Sequence, residues 1–331
     1  MKQLITGGFP LLVAFAVTAL AGPVFIPWLR KLKFGQEIRE EGPSWHQKKS
    51  GTPTMGGLMF ILGIAIAVLS SYFITALSGG STVNDAKALI VLLASVGFGA
   101  IGFADDFIKV VKKRNLGFRA LPKFTLQILL TVMFLVSLMM LGQFSPQIVI
   151  PFFDITLNMP LWLYFLFAIF VMTGTVNAVN LTDGLDGLAT SVTIPVILFF
   201  AMSAYGQGEM GIFSFGFAAV GGLLGFLIYN KYPAKVFMGD TGSLFLGGVI
   251  AIGATALKMP LILIIAGGIY LIETLSVILQ VISFKTTGKR IFKMSPIHHH
   301  FEMCGLNEKK IVLLFSAVTL VLCILSYIIV F

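Results

Sequence analysis

The chain has 331 residues, of which 57% are hydrophobic and only 11% are charged. An ordinary soluble domain carries about 25% charged residues, so this composition excludes a typical soluble enzyme and a disordered chain. The net charge of +9 would suit a nucleic-acid-binding protein, but the mean hydropathy of +0.97 excludes that class and indicates an integral membrane protein. The two cysteines, Cys304 and Cys323, can form neither a disulfide framework nor a four-ligand zinc site.

Apolar stretches of about 20 residues, long enough to cross a bilayer, follow one another along the whole chain. We predict ten, at residues 4–29, 56–77, 88–104, 124–142, 161–176, 188–205, 211–229, 242–257, 261–284 and 311–331. The first stretch has no small-residue cleavage site, so we interpret it as a mature helix rather than a signal peptide. The sequence thus predicts an all-α integral membrane protein, one polytopic membrane domain over residues 1–331 with about ten transmembrane helices.

The basic residues distinguish the two sides of the predicted bundle. Of the 23 Lys and Arg residues, 20 lie in alternate segments, at residues 30–55, 105–123, 177–187, 230–241 and 285–310. Cytoplasmic loops carry the excess of Lys and Arg, so these segments are predicted to be cytoplasmic and both termini to be outside. The longest outer segment, residues 143–160, alternates around Pro151 and predicts a small hairpin at the outer surface.

Two adjacent carboxylates, Asp105 and Asp106, stand at the inner end of the third predicted span. Neighbouring carboxylates ionise together only beside a cation. That cation is Mg²⁺ or one of the nearby basic side chains, which are Lys109, Lys112, Lys113 and Arg114. The alternative is an acid pair that only marks the helix end at the membrane interface.

The segment 177–187 lacks basic residues and is rich in polar oxygen atoms. Its polar residues recur at three-residue spacing and would gather on one face of a turn or helix end; they are Asn177, Asn180, Asp183 and Asp186. Such clusters suit hard cations or the hydroxyls of a nucleoside, and a capped turn is the structural alternative. In the segment 230–243, Asp240 stands between glycines before a span, where it suits an N-cap, and a helix N-terminus also attracts phosphate.

Three further polar features complete the pattern. Residues 46–57 are rich in Gly and Thr and hold two lysines, but they lack the P-loop order of residues. His298, His299 and His300 are consecutive and cannot all face one metal from a regular helix, so hydrogen bonds to phosphate suit them better. Glu273 and Gln280 lie on one face of the ninth span, where polar residues are functional candidates or form interhelical hydrogen bonds.

Together, carboxylates for Mg²⁺, cations for phosphates and Asn/Asp/Gly turns for a nucleoside lie on the inner face of a lipid-embedded bundle. This combination indicates phosphoryl transfer between a nucleotide-linked substrate and a lipid, because metal and cationic groups neutralise charge on the transferring phosphate.

Five segments together resemble one enzyme family. They are Gly-Thr-Pro-Thr-Met-Gly-Gly at 51–57, Asp105-Asp106, residues 177–187, Val-Phe-Met-Gly-Asp-Thr-Gly-Ser-Leu at 236–244 and Pro-Ile-His-His-His-Phe-Glu at 296–302. The pattern is similar to that of the phospho-N-acetylmuramoyl-pentapeptide transferases, the MraY family, within the polyprenyl-phosphate N-acetylhexosamine-1-phosphate transferases. The acidic segments are shared across the superfamily, whereas the His-containing segment marks the MraY family. The resemblance covers the whole chain, and every motif position is matched.

The resemblance implies transfer of phospho-MurNAc-pentapeptide from UDP-MurNAc-pentapeptide to undecaprenyl phosphate, giving lipid I and UMP in peptidoglycan synthesis. It implies Mg²⁺ as cofactor, a multi-pass protein of the bacterial cytoplasmic (inner) membrane and an active site on the cytoplasmic face, near residues 46–57, 105–123, 177–187, 230–243 and 285–302. The partners would be the two substrates and the bilayer, with no nucleic acid, and a homodimer is left open.

Residue roles follow from the resemblance position by position. Asp240 would be the first Mg²⁺ ligand with Asp105 and Asp106 beside it, Asp105 would be the base, and Asp183 would support the metal site. Gly184, Leu185 and Asp186 would form a uridine pocket, with Phe237 stacking on uracil. The other matches, which would handle phosphates, sugar or peptide, are Lys49, Thr54, Lys109, Lys123, Asn180, Asn230, Gln280, His298, His299 and His300.

Other functions and a second mechanism stay open at this point. A UDP-GlcNAc:polyprenyl-phosphate transferase would share the carboxylates and differ mainly in the last inner loop. A transporter would carry charges near the bilayer midplane, whereas here Glu273 is the main charge within a span. Within the transferase reading, a double displacement through an aspartyl-phosphate competes with direct attack by the lipid phosphate.

Overall fold

A computed structural model describes residues 2–31, 49, 51–78, 83–111, 117–153 and 155–331, and helices dominate them. The helices are α1 (Lys2–Lys31), α2 (Gly57–Leu77), α3 (Val83–Val111), α4 (Ala120–Met140), α5 (Leu161–Thr182), α6 (Leu188–Gly206), α7 (Met210–Asn230), α8 (Gly239–Ala256), α9 (Leu263–Ala266), α10 (Gly268–Thr287), α11 (Ile297–Met303) and α12 (Glu308–Val330). The strands are β1 (Gln147–Ile150) and β2 (Ile155–Asn158).

Nine of the helices in the described ranges are long and apolar enough to cross a membrane, which confirms the all-α membrane class. They correspond to nine of the ten predicted stretches. The remaining stretch, the eighth in chain order at residues 242–257, corresponds to α8, whose first turn is rich in glycine and polar residues. Because almost all of α8 is buried against α3, α5 and other helices, it needs no continuous apolar surface of its own.

The ninth predicted stretch, residues 261–284, is not one continuous helix, and the prediction of an unbroken span there was wrong. A short 3₁₀ turn at Pro260–Ile262 leads into α9, and Gly267 then separates α9 from α10. Proline begins a helix well but cannot sit inside one without loss, and glycine has low helix propensity. Hydropathy along the sequence detects neither the break at Pro260 nor the break at Gly267.

Two helices extend farther than their apolar stretches. The third stretch was predicted to end at residue 104, but α3 continues to Val111 and therefore includes Asp105 and Asp106. The fifth was predicted to end at residue 176, but α5 continues to Thr182 and includes Asn177 and Asn180. These polar residues are thus fixed on regular helical backbone rather than in loops.

Glycines let the central helices approach one another closely, as small residues do in membrane bundles. A side chain at Gly221 of α7 would collide with the backbone of Leu11 in α1, and one at Gly247 of α8 would contact Val176 in α5 at 2.5 Å. Helices α6 and α7 are accordingly the most enclosed of the nine spans. This packing places the start of α8 inside the bundle rather than at its surface.

The two ends of the bundle differ in character. One end carries the start of α8, the ends of α3 and α5 and the loops predicted to be functional. The other end carries the predicted hairpin, in which β1 and β2 pair antiparallel with Gln147 opposite Asn158. At this second end Gly7 of α1 packs against Phe213 in the first turns of α7, and Phe331 packs against Gly206.

Candidate active site

Three carboxylates meet where α3 passes the start of α8. Asp105 and Asp106 lie near the end of α3, and Asp240 lies in the first turn of α8. One oxygen atom of each residue lies within 4.8 Å of the others. All-oxygen carboxylate sets suit hard cations such as Mg²⁺, so this donor set fits the metal that the sequence implies.

Asp106 fixes the start of α8. Its Oδ1 accepts a hydrogen bond from the Asp240 backbone N at 3.1 Å, and its Oδ2 accepts from the Thr241 backbone N at 2.9 Å and the Thr241 hydroxyl at 2.7 Å. A carboxylate in this place satisfies helix N–H groups that have no intrahelical partner and offsets the helix dipole. Because Asp240 is in the same turn, Asp106 also sets the position of Asp240.

Two glycines allow this close approach. A Cβ at Gly102 of α3 would collide with the backbone carbonyl of Asp240. Gly239 has φ 72°, a left-handed conformation that glycine adopts without strain, and its Cα faces the Thr54 hydroxyl and the Asp106 carboxylate. Larger residues at either position would move α8 away from α3 and separate the carboxylates.

Lys109 and Lys123 neutralise most of the charge of the carboxylates. Lys109 Nζ lies 2.6 Å from Asp105 Oδ2 and donates to Asp240 Oδ2 at 3.0 Å, while Lys123 Nζ donates to the same Asp240 oxygen at 2.9 Å. The backbone N of Phe118 donates to Asp105 Oδ1 at 2.7 Å. Two ammonium groups facing three carboxylates leave a formal charge of −1, which a cation or an approaching substrate would rearrange.

Asn180 orients Asp240 from the side of α5. Its Nδ2 donates to Asp240 Oδ1 at 2.9 Å and to the Ser243 hydroxyl at 2.8 Å. Asn177, one turn earlier, does not reach the carboxylates, because its Nδ2 donates to Gln127 Oε1 at 2.8 Å. Of these two asparagines, Asn180 therefore contacts the carboxylate cluster, whereas Asn177 joins α5 to α4.

Asp183 ends α5 next to the carboxylate cluster. Burial raises its pKa to about 8, and the negative charges of Asp240, Asp106 and Asp186 act in the same direction. Within the described part of the chain, no hydrogen bond to its carboxylate offsets these effects. Asp183 is thus available to a proton, a cation or a ligand hydrogen-bond donor.

The two glycine-rich segments pair through their backbones beside Asp240. Phe237 N donates to Pro53 O at 2.8 Å, and Gly56 N donates back to Phe237 O at 2.9 Å. This pairing places Thr54 under Gly239 and leaves the Phe237 side chain half-buried at the edge of the site. The predicted position of both residues near Asp240 is therefore consistent with the fold.

Lys49 and Asp186 are paired with each other. Lys49 Nζ lies 2.8 Å from Asp186 Oδ1 and 2.7 Å from Glu308 Oε1. Burial acts to lower the pKa of Lys49, but its hydrogen bonds to the two carboxylates outweigh burial, so that its pKa is raised and it stays charged. Leu185, between the two predicted pocket residues Gly184 and Asp186, is buried.

Two of the predicted substrate-binding residues are hydrogen-bonded within the protein. Asn230 Oδ1 accepts from the Thr190 hydroxyl at 2.8 Å, and its Nδ2 donates to Val236 O at 3.1 Å. Gln280 Oε1 accepts from the backbone N of Phe292 at 2.9 Å and its Nε2 donates to Phe292 O at 3.0 Å. Both side chains hold loops in place, and their predicted contact with substrate stays a prediction.

The three histidines face three different partners, as expected for consecutive residues of a helix. His298 Nδ1 lies 3.0 Å from both Glu273 oxygens, and the imidazole edge at Nε2 packs against Gly184. Nε2 is buried and has no hydrogen-bond partner among the described residues. His299 pairs with Glu302 at 2.7 Å, and His300 Nδ1 accepts from the Lys293 backbone N at 3.2 Å. His298 therefore adjoins the predicted uridine pocket at Gly184.

Several residues of the site were not singled out from the sequence. Ser243 and Thr241 contact the carboxylates, Gln127 holds Asn177, and Glu308 binds Lys49. Thr241 and Ser243 lie in the motif at 236–244 but were given no role of their own, and neither Gln127 nor Glu308 stands in an unusual sequence pattern, although Glu308 is an acidic residue at the start of a span. Part of the predicted basic and glycine-rich segments, including residues 46–48 and 112–114, lies outside the described residues.

Comparison with known proteins defines the class of this site. The model of glycosyl transferase family 4 matches residues 88–258, which contain the three carboxylates. A phospho-N-acetylmuramoyl-pentapeptide-transferase signature matches residues 49–61, which contain Lys49 and Thr54.

Relatives along the full chain identify the family. Phospho-N-acetylmuramoyl-pentapeptide-transferases from Clostridium beijerinckii and Bacillus subtilis are 51% and 48% identical to it, over 96% of this chain and 95% and 96% of theirs. The protein of that name from Clostridium botulinum strain Alaska E43 is 50% identical over 96% of this chain and 94% of its own. The chain belongs to the phospho-N-acetylmuramoyl-pentapeptide-transferase family, which confirms the resemblance found in its sequence.

Proposed function

We propose that this chain transfers phospho-MurNAc-pentapeptide from UDP-MurNAc-pentapeptide to undecaprenyl phosphate, giving lipid I and UMP, with Mg²⁺ at the carboxylate cluster. The observation that carries the proposal is the meeting of Asp105, Asp106 and Asp240 beside two lysines. Carboxylates that bind a cation, together with ammonium groups, are what phosphoryl transfer between two charged substrates requires. Family membership supplies the substrates, and the site supplies the chemistry.

The residues of the cluster suit direct attack. Asp105 would accept the proton of the lipid phosphate, whose oxygen then forms a bond to the β-phosphorus of the donor. The bond from that phosphorus to the bridging oxygen breaks, and UMP leaves with the electron pair. Lys109 and Lys123, which already face Asp240, would stabilise charge on the phosphate oxygens.

A bound Mg²⁺ would polarise phosphate oxygens and neutralise their charge. Asp240 would hold it, with Asp105 and Asp106 as further oxygen donors. Of the three carboxylates, Asp106 contributes most to holding the fold, because its oxygens accept three hydrogen bonds from the start of α8. Asn180, which donates to Asp240 Oδ1, would keep the Asp240 carboxylate oriented for the ion.

We place this site on the cytoplasmic face of the bacterial inner membrane, with both termini outside. The support is the distribution of Lys and Arg along the sequence, of which 20 of 23 lie in the alternate segments predicted to be cytoplasmic, and these segments also contain the three carboxylates. The segments predicted to form the site within one membrane domain lie near residues 46–57, 105–123, 177–187, 230–243 and 285–302, of which residues 46–48, 50 and 112–116 lie outside the described part of the chain. A homodimer stays a prediction.

Substitution of Asp240 by Asn tests the proposal. The change keeps the shape of the side chain but removes the charge that faces both lysines, so we expect turnover to fall by about 100-fold or more, as for other lost electrostatic groups in active sites. The measurement is Mg²⁺-dependent formation of lipid I by purified enzyme, with Asp105→Asn and Asp106→Asn in parallel. Near-normal turnover by Asp240→Asn would overturn the assignment.

A further inference from the structure

A charge cluster at the start of α12 connects four separate segments at the active-site end of the bundle. Glu308 is the first residue of α12, and its carboxylate accepts hydrogen bonds from Lys49 Nζ at 2.7 Å and 2.9 Å. The same Oε1 atom accepts from the Asp186 backbone N at 2.6 Å. One side chain therefore binds both the segment that precedes α2 and the turn between α5 and α6.

Asp186 uses both of its carboxylate oxygens within this cluster. Oδ1 accepts from Lys49 Nζ at 2.8 Å, and Oδ2 accepts from the Ala234 backbone N at 2.8 Å in the segment before α8. The ring of Tyr232, in that segment, lies 5.8 Å from Lys49 Nζ, within cation–π range. The orientation of Asp186 is thus fixed from three directions by protein groups.

We infer that Glu308 is a positioning residue for the nucleotide end of the donor substrate: it holds Asp186 and Lys49 so that the turn 183–187 keeps the shape of a nucleoside pocket. This inference rests on the proposed function and on the uridine pocket that the family resemblance implies at Gly184, Leu185 and Asp186 of that turn. Glu308 acts through the backbone N of Asp186 and through Lys49. Glu308 and Asp186 are buried and Lys49 is partly buried, and charge-assisted hydrogen bonds of this kind are stronger than neutral ones.

Two variants of Glu308 separate its two contacts. Glu308→Gln keeps an oxygen that can accept from the Asp186 backbone N but removes the charge that faces Lys49. Glu308→Ala removes both. Since one hydrogen bond to a charged group contributes about a tenfold change in an equilibrium constant, we expect Glu308→Ala to raise the KM for the UDP-linked donor at least about tenfold, and Glu308→Gln to raise it less. The KM for undecaprenyl phosphate should change less than about twofold.

Glu209→Gln is the matched control. Glu209 pairs with the buried Lys87 at 2.7 Å at the opposite end of the bundle, so this variant also loses an ion pair to a buried lysine but leaves both substrates' KM values unchanged. Binding of UDP to the full-length enzyme without lipid acceptor gives a second measurement that does not depend on turnover, and thermal unfolding shows which variants are folded. If Glu308→Ala does not fold, Glu308→Gln carries the test.

A double variant tests whether Lys49 and Glu308 act as one unit. If they do, Lys49→Met combined with Glu308→Gln should weaken UDP binding no more than the worse single variant, because the coupled contact is lost only once. The inference is overturned if the folded Glu308 variants bind UDP like the unchanged enzyme, if donor and acceptor KM values rise equally, or if Glu209→Gln shows the same loss. Each of these results is distinct from failure of the proposed function, which is read from Asp240→Asn.

Discussion

Individual carboxylates of this site differ in how far their charge is compensated. Asp240 faces two ammonium groups, whereas Asp183 is half-buried near three other carboxylates with no compensating hydrogen bond from the described residues. The two residues are therefore expected to behave differently with pH. Asp240 should stay ionised for binding, and Asp183 should hold a proton at neutral pH when no ligand is bound.

Asp183 gives a prediction with a defined sign. Its pKa is raised from 3.8 to about 8 in the folded protein, so between these values the folded state holds a proton that the unfolded state has lost. Stability should therefore fall as pH rises from about 4 to 8, by up to about 1.4 kcal/mol per pH unit for a fully shifted group, and become level above 8. Asp183→Asn cannot ionise and should lack this slope.

The measurement is the thermal unfolding temperature of both proteins in detergent with a chelator present, at intervals from pH 5 to pH 9. The advantage of Asp183→Asn should grow up to about pH 8 and then remain constant. A constant difference over the whole range would show that Asp183 is already ionised at pH 5 and would contradict the prediction.

At the residue scale, the sequence identified the chemistry-bearing side chains but not their partners. Asn177 and Asn180 have the same residue type and lie three residues apart, yet only Asn180 reaches Asp240, while Asn177 binds Gln127. That choice depends on how α4 and α8 pack on the two sides of α5, and this information is not local in sequence. Glu308 was missed for the same reason, because Lys49 is 259 residues away.

At the scale of elements, the site depends on the close contact between α3 and α8. Gly102→Ala would place a methyl group against the Asp240 carbonyl, which belongs to backbone and cannot rotate aside. The helices must separate or shift, and displacements of this size at reacting groups cost about 100-fold in rate. We therefore expect Gly102→Ala to reduce turnover by at least tenfold while the protein still folds.

Gly174→Ala provides the control for this prediction. Gly174 is also a helical glycine, in α5, but nothing lies within 4 Å of the Cβ position, so the same change should leave turnover intact. Both variants are compared by lipid I formation and by thermal unfolding. Equal turnover for the two variants would show that the contact between α3 and α8 does not control the carboxylate geometry.

Hydropathy predicted the helices well but located their ends poorly. The polar residues at the ends of α3 and α5 looked like loop residues, since apolar character ends before them, although each helix continues for another one or two turns. The continuation is possible because neighbouring elements supply partners for these side chains, as Lys109 and Phe118 do for Asp105. The rule that a membrane helix ends where its apolar residues end therefore failed at the two helices that carry the candidate site residues.

At the scale of the whole molecule, labelling of Cys304 can show which end of the bundle faces the cytoplasm, because the second cysteine is buried. Cys304 is exposed next to α11, at the end of the bundle that carries the carboxylates, whereas Cys323 is buried within α12. If this end is cytoplasmic, a membrane-impermeant maleimide should label the unchanged protein in inverted membrane vesicles and not in intact cells. Cys304→Ser should abolish the labelling.

A cysteine at the opposite end completes this measurement. Phe153 lies in the turn of the hairpin and is 69% exposed, so Phe153→Cys in the Cys304→Ser background should be labelled in intact cells. Labelling of Cys304 from outside would reverse the orientation and separate the carboxylates from a cytosolic nucleotide-linked donor. The expected pattern places the carboxylate cluster on the side to which 20 of the 23 basic residues are assigned by their position in the sequence, where a substrate with two phosphates would meet both positive charge and the acidic cluster.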